Sequence, residues 1–180
     1  MYDGMDIVIG GGVESISMVQ TPEMRVGSDK WLKDNKPEMY MTMLETAENV
    51  ATRFNISREA QDAYAAQSQE RTHAAQQAGK LDDEVVAMST TMMIQNKETK
   101  EITSHDVTIE KDEGNRPGTS AESLAGLKPV FKDGLNLQTG EFITAGNASQ
   151  LSDGASASIV MEASLAEKKG LEPLGRYVGV

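Results

Sequence analysis

Ile7-Val8-Ile9, followed by Gly10-Gly11-Gly12, is the stretch of sequence that indicates the fold class. The three β-branched residues are consecutive, a pattern typical of a strand covered on both faces by helices. We expect the glycines to end this strand in a tight turn. Residues 155–161 end in Ile159-Val160-Met161 and predict a second buried strand. Together these stretches predict an α/β architecture.

Composition excludes several functional classes. The 180 residues contain no cysteine, which removes disulfides, thiolate zinc sites and a cysteine nucleophile from this sequence. There are only two histidines, so no metal site is predicted. The net charge of −11 argues against a nucleic-acid partner, which would require a basic surface. No membrane span and no signal peptide are predicted.

Two helices dominate the middle of the chain. Apolar or small residues recur at helical spacing from Met43 to Phe54, which predicts the first helix. Ser57 is suited to cap the second helix, with Glu59 in its first turn and Gly79 just after its end. The other predicted elements are an extended segment at 81–88, a hairpin or loop tip at 96–101, short helices at 121–127 and 163–169, and a third strand at 174–180.

Both ends of the sequence have patterns typical of a fold interior. A glycine turn comes directly before the strand at 7–9, and the last residues, 171–180, stop within an apolar run. We therefore expect this sequence to be an internal piece of a longer protein.

The residues alone do not define a chemistry. Gly10-Gly11-Gly12 could cradle a phosphate, but no lysine follows at Walker spacing and no helix-opening G-x-G-x-x-G pattern is present. His73 is expected on a solvated helix face. His105 has Asp106 beside it, and one histidine with one carboxylate does not make a catalytic site.

Five sequence blocks, in order along the chain, resemble the thiolases, the family of acetyl-CoA acetyltransferases and 3-ketoacyl-CoA thiolases. The blocks are Ile9–Met18, Met43–Ala51, Ile56–Asp62, Leu127–Phe131, and Thr144–Ser149 with Asp153-Gly154-Ala155. The resemblance implies a partial three-layer α/β/α fold, with two sheet strands of the thiolase N-terminal half and the helical loop domain that covers the acyl-CoA site. It also implies that the two strands are antiparallel neighbours.

The resemblance divides the chain into four parts. These are the strand and turn of the N-terminal half (1–20), the loop domain (21–143), the last strand and helix of the N-terminal half (144–170), and the start of the C-terminal half (171–180).

Thiolases make or break the carbon–carbon bond of a 3-oxoacyl-CoA: they cleave it with CoA, or form it from two acyl-CoA molecules with release of CoA. The resemblance therefore implies an acyl-CoA C-acyltransferase of fatty acid metabolism, with acyl-CoA and CoA as partners and CoA as a substrate rather than a cofactor. The family's catalytic cysteines and its histidine and asparagine motifs have no counterpart here. We expect no catalytic residue and no activity of this chain alone. The intact parent is expected to be a cytoplasmic homo-oligomer, with an organelle of a eukaryotic parent left open.

Four polar or small positions match residues that bind CoA in the family. Arg116 matches an arginine near the nucleotide, where a cation suits phosphate, and Ser123 matches a serine on the adenine side. Ala145 and Ser149 match residues along the pantetheine arm. A plain surface role for Arg116 stays open.

Three apolar positions also match the family's binding residues. Met43 matches a methionine of the acyl pocket, although Thr42 stands where many short-chain thiolases have a histidine. Leu127 and Phe131 match pocket-lining residues and are equally compatible with a plain core role. Two other hypotheses stay open for the whole chain: a non-catalytic CoA-binding or interaction module, and a truncated product that folds poorly and associates.

Overall fold

The computed structural model describes residues 4–19, 24 and 27–179. The chain falls into two compact units, Met1–Gly27 with Leu151–Val180, and Ser28–Gln150. In chain order the elements are β1 (Ile7–Glu14), α1 (Ile16–Val19), α2 (Lys30–Asn35), a 3-10 helix (Pro37–Tyr40), α3 (Met43–Phe54), α4 (Arg58–Gln77), β2 (Met88–Gln95), β3 (Ile102–Ile109), α5 (Ala121–Ala125), β4 (Gly154–Met161) and α6 (Ala163–Lys168).

The division of the chain into four parts stays a prediction. One of its boundaries, after residue 143, can be compared with the compact units. Residues 144–150 belong to the unit that holds the helices α3 and α4. The boundary predicted at 20 lies outside the described residues.

β1 and β4 form the two-stranded sheet of the first unit. They pair antiparallel over their full lengths, from Ile7 opposite Met161 to Glu14 opposite Gly154. The antiparallel neighbourhood implied by the resemblance is therefore confirmed.

The glycines of β1 lie inside the strand, so the expected turn at Gly10-Gly11-Gly12 is wrong. β1 continues to Glu14. A Cβ atom added to Gly11 would lie 2.8 Å from the carbonyl oxygen of Ser156 in β4. Glycine is needed here because the partner backbone approaches closely, which also occurs in strand interiors.

The apolar residues of this two-stranded sheet are exposed. Ile9 is 75% exposed and Ile159 is 65% exposed. The expectation of strands covered on both faces is not met in this chain, because among the described residues no layer packs over them. The pairing alone satisfies backbone groups on one side of each strand and buries little apolar surface.

A carboxylate ties the start of β4 to the end of β1. Asp153 accepts hydrogen bonds from Ser15 Oγ at 3.1 Å, from the Ser17 amide at 3.1 Å and from Ser17 Oγ. The Ser17 hydroxyl and amide are the main reason that the pKa of Asp153 lies below its ordinary value.

The end of the described chain is helical and then irregular. α6 begins after Glu162, whose side chain accepts from the Leu165 amide at 3.2 Å, and Gly170 follows it with φ of 67°. The predicted third strand at 174–180 is wrong for residues 174–179, because a strand requires a ladder partner and none pairs with them among the described residues. Val180 lies outside the described residues.

The second unit is built on α3 and α4, and both predicted helices are confirmed. Thr42 caps α3, and Asn55 ends it in the left-handed conformation with φ of 53°. Ser57 caps α4 as predicted. Gly79 has φ of 66° just beyond the end of that helix, where a residue without Cβ is favoured.

The buried face of α3 is acidic. Met43 is 79% exposed and Phe54 is 65% exposed, although both belonged to the apolar pattern that predicted the helix. The buried residues are Glu45, Glu48 and Ala51. The sequence pattern therefore gives the helix but not the face that packs.

β2 and β3 form an antiparallel hairpin of two eight-residue strands. The predicted hairpin tip at 96–101 is confirmed. The extended segment predicted at 81–88 is wrong over its first half, because the Val85 amide donates to the Leu81 carbonyl at 3.1 Å and the chain continues in turns after α4.

Two reciprocal hydrogen bonds cap the N-terminus of α5. Ser120 Oγ accepts from the Ser123 amide at 3.2 Å, and Ser123 Oγ accepts from the Ser120 amide at 3.1 Å, which is a capping box. Across the described ranges, no helix combines the length and the low polarity needed to cross a membrane.

Candidate functional site

Glu45 fastens the loop after Phe131 to α3. Its carboxylate accepts backbone N–H groups from Leu135 at 2.8 Å, Asn136 at 2.6 Å and Leu137 at 3.1 Å. Burial by itself raises the pKa of Glu45, but the three N–H donors lower it more, so the pKa lies below its ordinary value. The ionised carboxylate is thus the form that holds this loop.

Glu48, one helical turn further along, binds the next part of the same loop. It accepts backbone N–H groups from Glu141, Phe142 and Ile143, the last at 2.8 Å. Its side chain is 1% exposed. We call Glu45, Glu48 and the loop 131–143 the carboxylate clasp, because two buried acids are satisfied entirely by loop amides.

Glycines make room for this clasp. A Cβ atom on Gly134 would collide with the ring of Phe131 and the carboxylate of Glu45, and one on Gly140 would collide with the carboxylate of Glu48. Phe131 itself is only 5% exposed. The loop therefore wraps around Phe131, and the carboxylates of Glu45 and Glu48 lie against its two glycines.

A second polar cluster joins α4 to the neighbouring loops. Arg58 Nε lies 2.8 Å from Asp62 Oδ2, and both side chains are largely buried. The Arg58 guanidinium also donates to the carbonyl oxygens of Leu124 at 2.7 Å and Leu127 at 3.2 Å. Asn147 Nδ2 donates to Asp62 Oδ1 at 3.0 Å. This cluster fixes the end of α5 and the turn around Asn147 relative to α4.

The turn at 144–149 is held from inside and exposed outside. Asn147 Oδ1 accepts from the amide of Thr144 at 2.8 Å, and Thr144 is fully buried. Ala145 and Ser149, two of the predicted binding residues, are exposed. The inward side chains of the motif are thus structural, and the outward ones are free to face a ligand.

Arg116 and Ser123 lie on the segment before and within α5. The Arg116 amide donates to Gln69 Oε1 of α4 at 2.9 Å, and the Arg116 side chain is exposed. Ser123 is also exposed, and its hydroxyl donates to the Ser120 carbonyl at 2.8 Å.

The three apolar predicted residues differ in exposure. Phe131 is core, Leu127 is 39% exposed and Met43 is 79% exposed. Direct contact with a ligand is therefore open to Leu127 and Met43, and Phe131 supports the loop from within.

The structure brings several of these segments together. Gln150 Nε2 donates to the carbonyl of Gly114, two residues before Arg116. Gly146 packs against the side chains of Leu124 and Leu127, where a Cβ atom would not fit. The segments 114–127 and 144–150 are thus neighbours, whereas Met43 lies at the start of α3.

The residues that hold these segments in place are not predicted from the sequence. Acids on helices are usually solvated, which is why Glu45, Glu48 and Asp62 gave no signal. The amides of Asn147 and Gln69 act through partners 85 and 47 residues away in sequence. One signal was available: Glu45, Glu48 and Ala51 are spaced by three residues, which places them on one helix face.

Residues 1–164 match the family model described as the thiolase N-terminal domain. The chain belongs to the thiolase family. The fold class predicted from the resemblance, a partial thiolase-like α/β fold, is confirmed by the solved thiolase structures that it matches.

The thiolase relatives are longer than this chain. It is 43% identical over 177 residues to the peroxisomal 3-ketoacyl-CoA thiolase of Yarrowia lipolytica, covering 97% of this chain and 40% of that protein. The dimeric peroxisomal thiolase of Saccharomyces cerevisiae superposes with a TM-score of 0.71 at 33% identity, covering 96% of this chain and 40% of that one. Human mitochondrial 3-ketoacyl-CoA thiolase in complex with CoA gives 0.63 at 35% identity, covering 94% and 41%. The chain thus spans about 40% of the length of the relatives it matches.

Proposed function

We propose that this chain forms the CoA- and acyl-binding wall of an acyl-CoA C-acyltransferase. Such an enzyme cleaves 3-oxoacyl-CoA with CoA into two acyl-CoA molecules, or condenses two acyl-CoA molecules to 3-oxoacyl-CoA and releases CoA. The observation that carries the proposal is the meeting of the segments 114–127 and 144–150 in the second unit. Those segments carry Arg116, Ser123 and Ser149, which are all exposed.

Each residue type suits a part of CoA. The guanidinium of Arg116 suits the phosphates of the nucleotide, in a chain whose overall charge of −11 would otherwise repel them. The hydroxyl of Ser149 and the exposed backbone at Ala145 suit the amides of the pantetheine arm. Met43 and Leu127 offer exposed apolar surface to the acyl end.

Other parts of the function depend on residues beyond this sequence. A thiolase reaction passes the acyl group to a thiolate, and this sequence contains no cysteine. The chain alone is therefore proposed to be inactive.

We propose a homo-oligomeric parent, by analogy with the yeast protein named as dimeric. The parent is expected to be cytoplasmic, and an organelle stays open because the Yarrowia relative is peroxisomal.

The test is a titration of the isotope-labelled chain with CoA and, separately, with pantetheine, followed by amide NMR. CoA is expected to shift the resonances of Arg116, Ser123 and Ser149, and Arg116→Ala is expected to weaken CoA binding by about tenfold, the value of one charge-assisted contact. Pantetheine, which has no phosphate, is expected to be insensitive to Arg116→Ala. A parallel assay with acetoacetyl-CoA and CoA should detect no thiolysis.

Two results would contradict the proposal. If CoA shifts only resonances far from these three residues, the binding wall is placed wrongly. If the chain by itself cleaves acetoacetyl-CoA, the inactive part of the proposal is wrong.

A non-catalytic CoA-binding module is the second candidate. It is favoured by one observation: all seven predicted binding residues fall within the single unit Ser28–Gln150. The same titration separates the candidates, because a binding wall alone should bind CoA weakly. Micromolar or tighter affinity of the chain would favour the module.

A further inference from the structure

We propose that Gln69 is a positioning residue for Arg116: through Asn115 and the Arg116 amide, it fixes the turn from which the guanidinium reaches a phosphate. This inference rests on the proposed CoA-binding role of Arg116 and adds to it a residue on a different element, 47 positions away in sequence.

Three hydrogen bonds join Gln69 to this turn. Asn115 Nδ2 donates both to the Gln69 carbonyl oxygen and to Gln69 Oε1, each at 2.9 Å, and the Arg116 amide donates to the same Oε1 at 2.9 Å. Gln69 is on α4, a helix of twenty residues. A single side-chain oxygen on that helix therefore fixes two consecutive residues of the turn.

The amide of Asn115 is oriented by Gln69. Its Oδ1 atom is buried and accepts no hydrogen bond from the described residues. Reversing the amide would place that oxygen against two acceptor oxygens of Gln69, which is repulsive. A buried acceptor without a donor is unfavourable. The Asn115 amide nevertheless keeps this orientation because its Nδ2 group donates to both oxygens of Gln69.

The rest of the turn depends on polar contacts of the same kind. The Arg116 carbonyl accepts from Thr119 Oγ1 at 2.8 Å, and Gly118 has φ of 81°. Residues 111–118 contain no helix or strand and are exposed or half-buried. With little apolar packing, these residues are held by polar contacts, and Gln69 provides the ones made to the Asn115 side chain and the Arg116 amide.

The functional consequence is preorganisation. An exposed arginine loses side-chain entropy when it binds a phosphate, and a mobile backbone would add to this loss. A backbone already fixed at Arg116 limits the loss to the side chain. Removing the anchor should therefore weaken phosphate binding although Arg116 is still present.

The experiment compares Gln69→Leu with Gln69→Glu and with Gln67→Leu, a control at an exposed position of the same helix. The first readout is exchange of the Arg116 amide measured by NMR in the full chain. Gln69→Leu should speed this exchange by about tenfold, since the Arg116 amide loses its acceptor. Gln69→Glu keeps an acceptor oxygen at the same place and should retain slow exchange, and Gln67→Leu should behave as the unsubstituted chain.

The second readout is a double-mutant cycle for CoA affinity with Gln69→Leu and Arg116→Ala. Gln69→Leu alone should weaken CoA binding by about fivefold, and it should have almost no effect in the Arg116→Ala background, because both substitutions act through the same guanidinium. Pantetheine affinity should not change.

The outcomes separate this inference from the proposed function. Unchanged Arg116 exchange in Gln69→Leu, or additive losses in the cycle, would overturn the positioning role. If CoA does not bind near Arg116 at all, the proposed function fails, and a positioning role toward a phosphate fails with it, even where the exchange data show that Gln69 holds the turn.

Discussion

Apolar side chains are usually buried and charged ones exposed. The two-stranded sheet of β1 and β4 and the carboxylate clasp depart from this rule in opposite directions. The sheet is β-branched and apolar in sequence, yet Ile9 and Ile159 are exposed. The clasp depends on two glutamates, yet both are 1% exposed. Glu45 and Glu48 can be buried because each accepts hydrogen bonds from three loop amides. The apolar residues of β1 and β4 are exposed because no layer packs over the sheet among the described residues.

The largest expected effect is the loss of one acid of the clasp. Glu48→Ala leaves three loop amides without their acceptor, and unsatisfied buried donors are costly, so we expect a loss on the order of 3 kcal/mol in the free energy of unfolding. Glu48→Gln keeps one acceptor oxygen and should lose about half as much. Urea unfolding followed by circular dichroism measures both.

Thr52→Ala, at an exposed position of α3, is the matched control and should change stability by less than about 0.5 kcal/mol. A loss below about 1 kcal/mol for Glu48→Ala would show that the loop does not need the clasp, and the contrast with the sheet would then disappear.

A smaller effect is expected from protonating the clasp. The pKa of Glu45 is lowered in the folded chain, because its three backbone donors outweigh the effect of burial. A lowered folded pKa gives stability that is fully present above the ordinary value of 4.5 and is lost as pH falls through the folded pKa. Urea midpoints measured from pH 7 to pH 3 should therefore fall in acid, and less steeply in Glu45→Gln.

Other acids titrate in the same range and must be separated from Glu45. The pKa values of Glu59 and Asp153 are also lowered, by first-turn hydrogen bonds at the start of α4 and by the Ser17 contacts. Their contributions are common to both proteins and cancel in the comparison with Glu45→Gln. An identical acid slope in the two proteins would show that Glu45 does not hold the loop as a carboxylate.

Local features could be predicted from the sequence, and long-range ones could not. Ser57 and Gly79 mark helix ends through contacts within a few residues, so they were identified correctly. Glu45 and Glu48 depend on amides about 90 residues further along, and Gln69 on a turn 47 residues away. No periodicity shows such contacts, and Gly11 was misread for the same reason, since its neighbour is Ser156.

The family resemblance supplied what local patterns could not. It gave the antiparallel pairing of β1 and β4, and it is the source of the positions proposed to bind CoA. It did not show which of those residues face outward. Phe131 and Ser149 both match family positions, but Phe131 is buried and Ser149 is exposed.

The smallest expected stability effect is in the exposed sheet, and it comes with a change in association. Ile9→Thr keeps a β-branched residue in β1 and removes exposed apolar surface, so stability should change by less than about 0.5 kcal/mol. Unpaired strand edges and bare apolar faces favour contact between chains, so sedimentation should show less self-association of Ile9→Thr.

The same substitution at Ile143, which is 8% exposed in the clasp, should cost about 1–3 kcal/mol, because it buries a hydroxyl. Equal losses at the two positions would mean that the sheet is covered in solution, and the contrast between the two regions would fail.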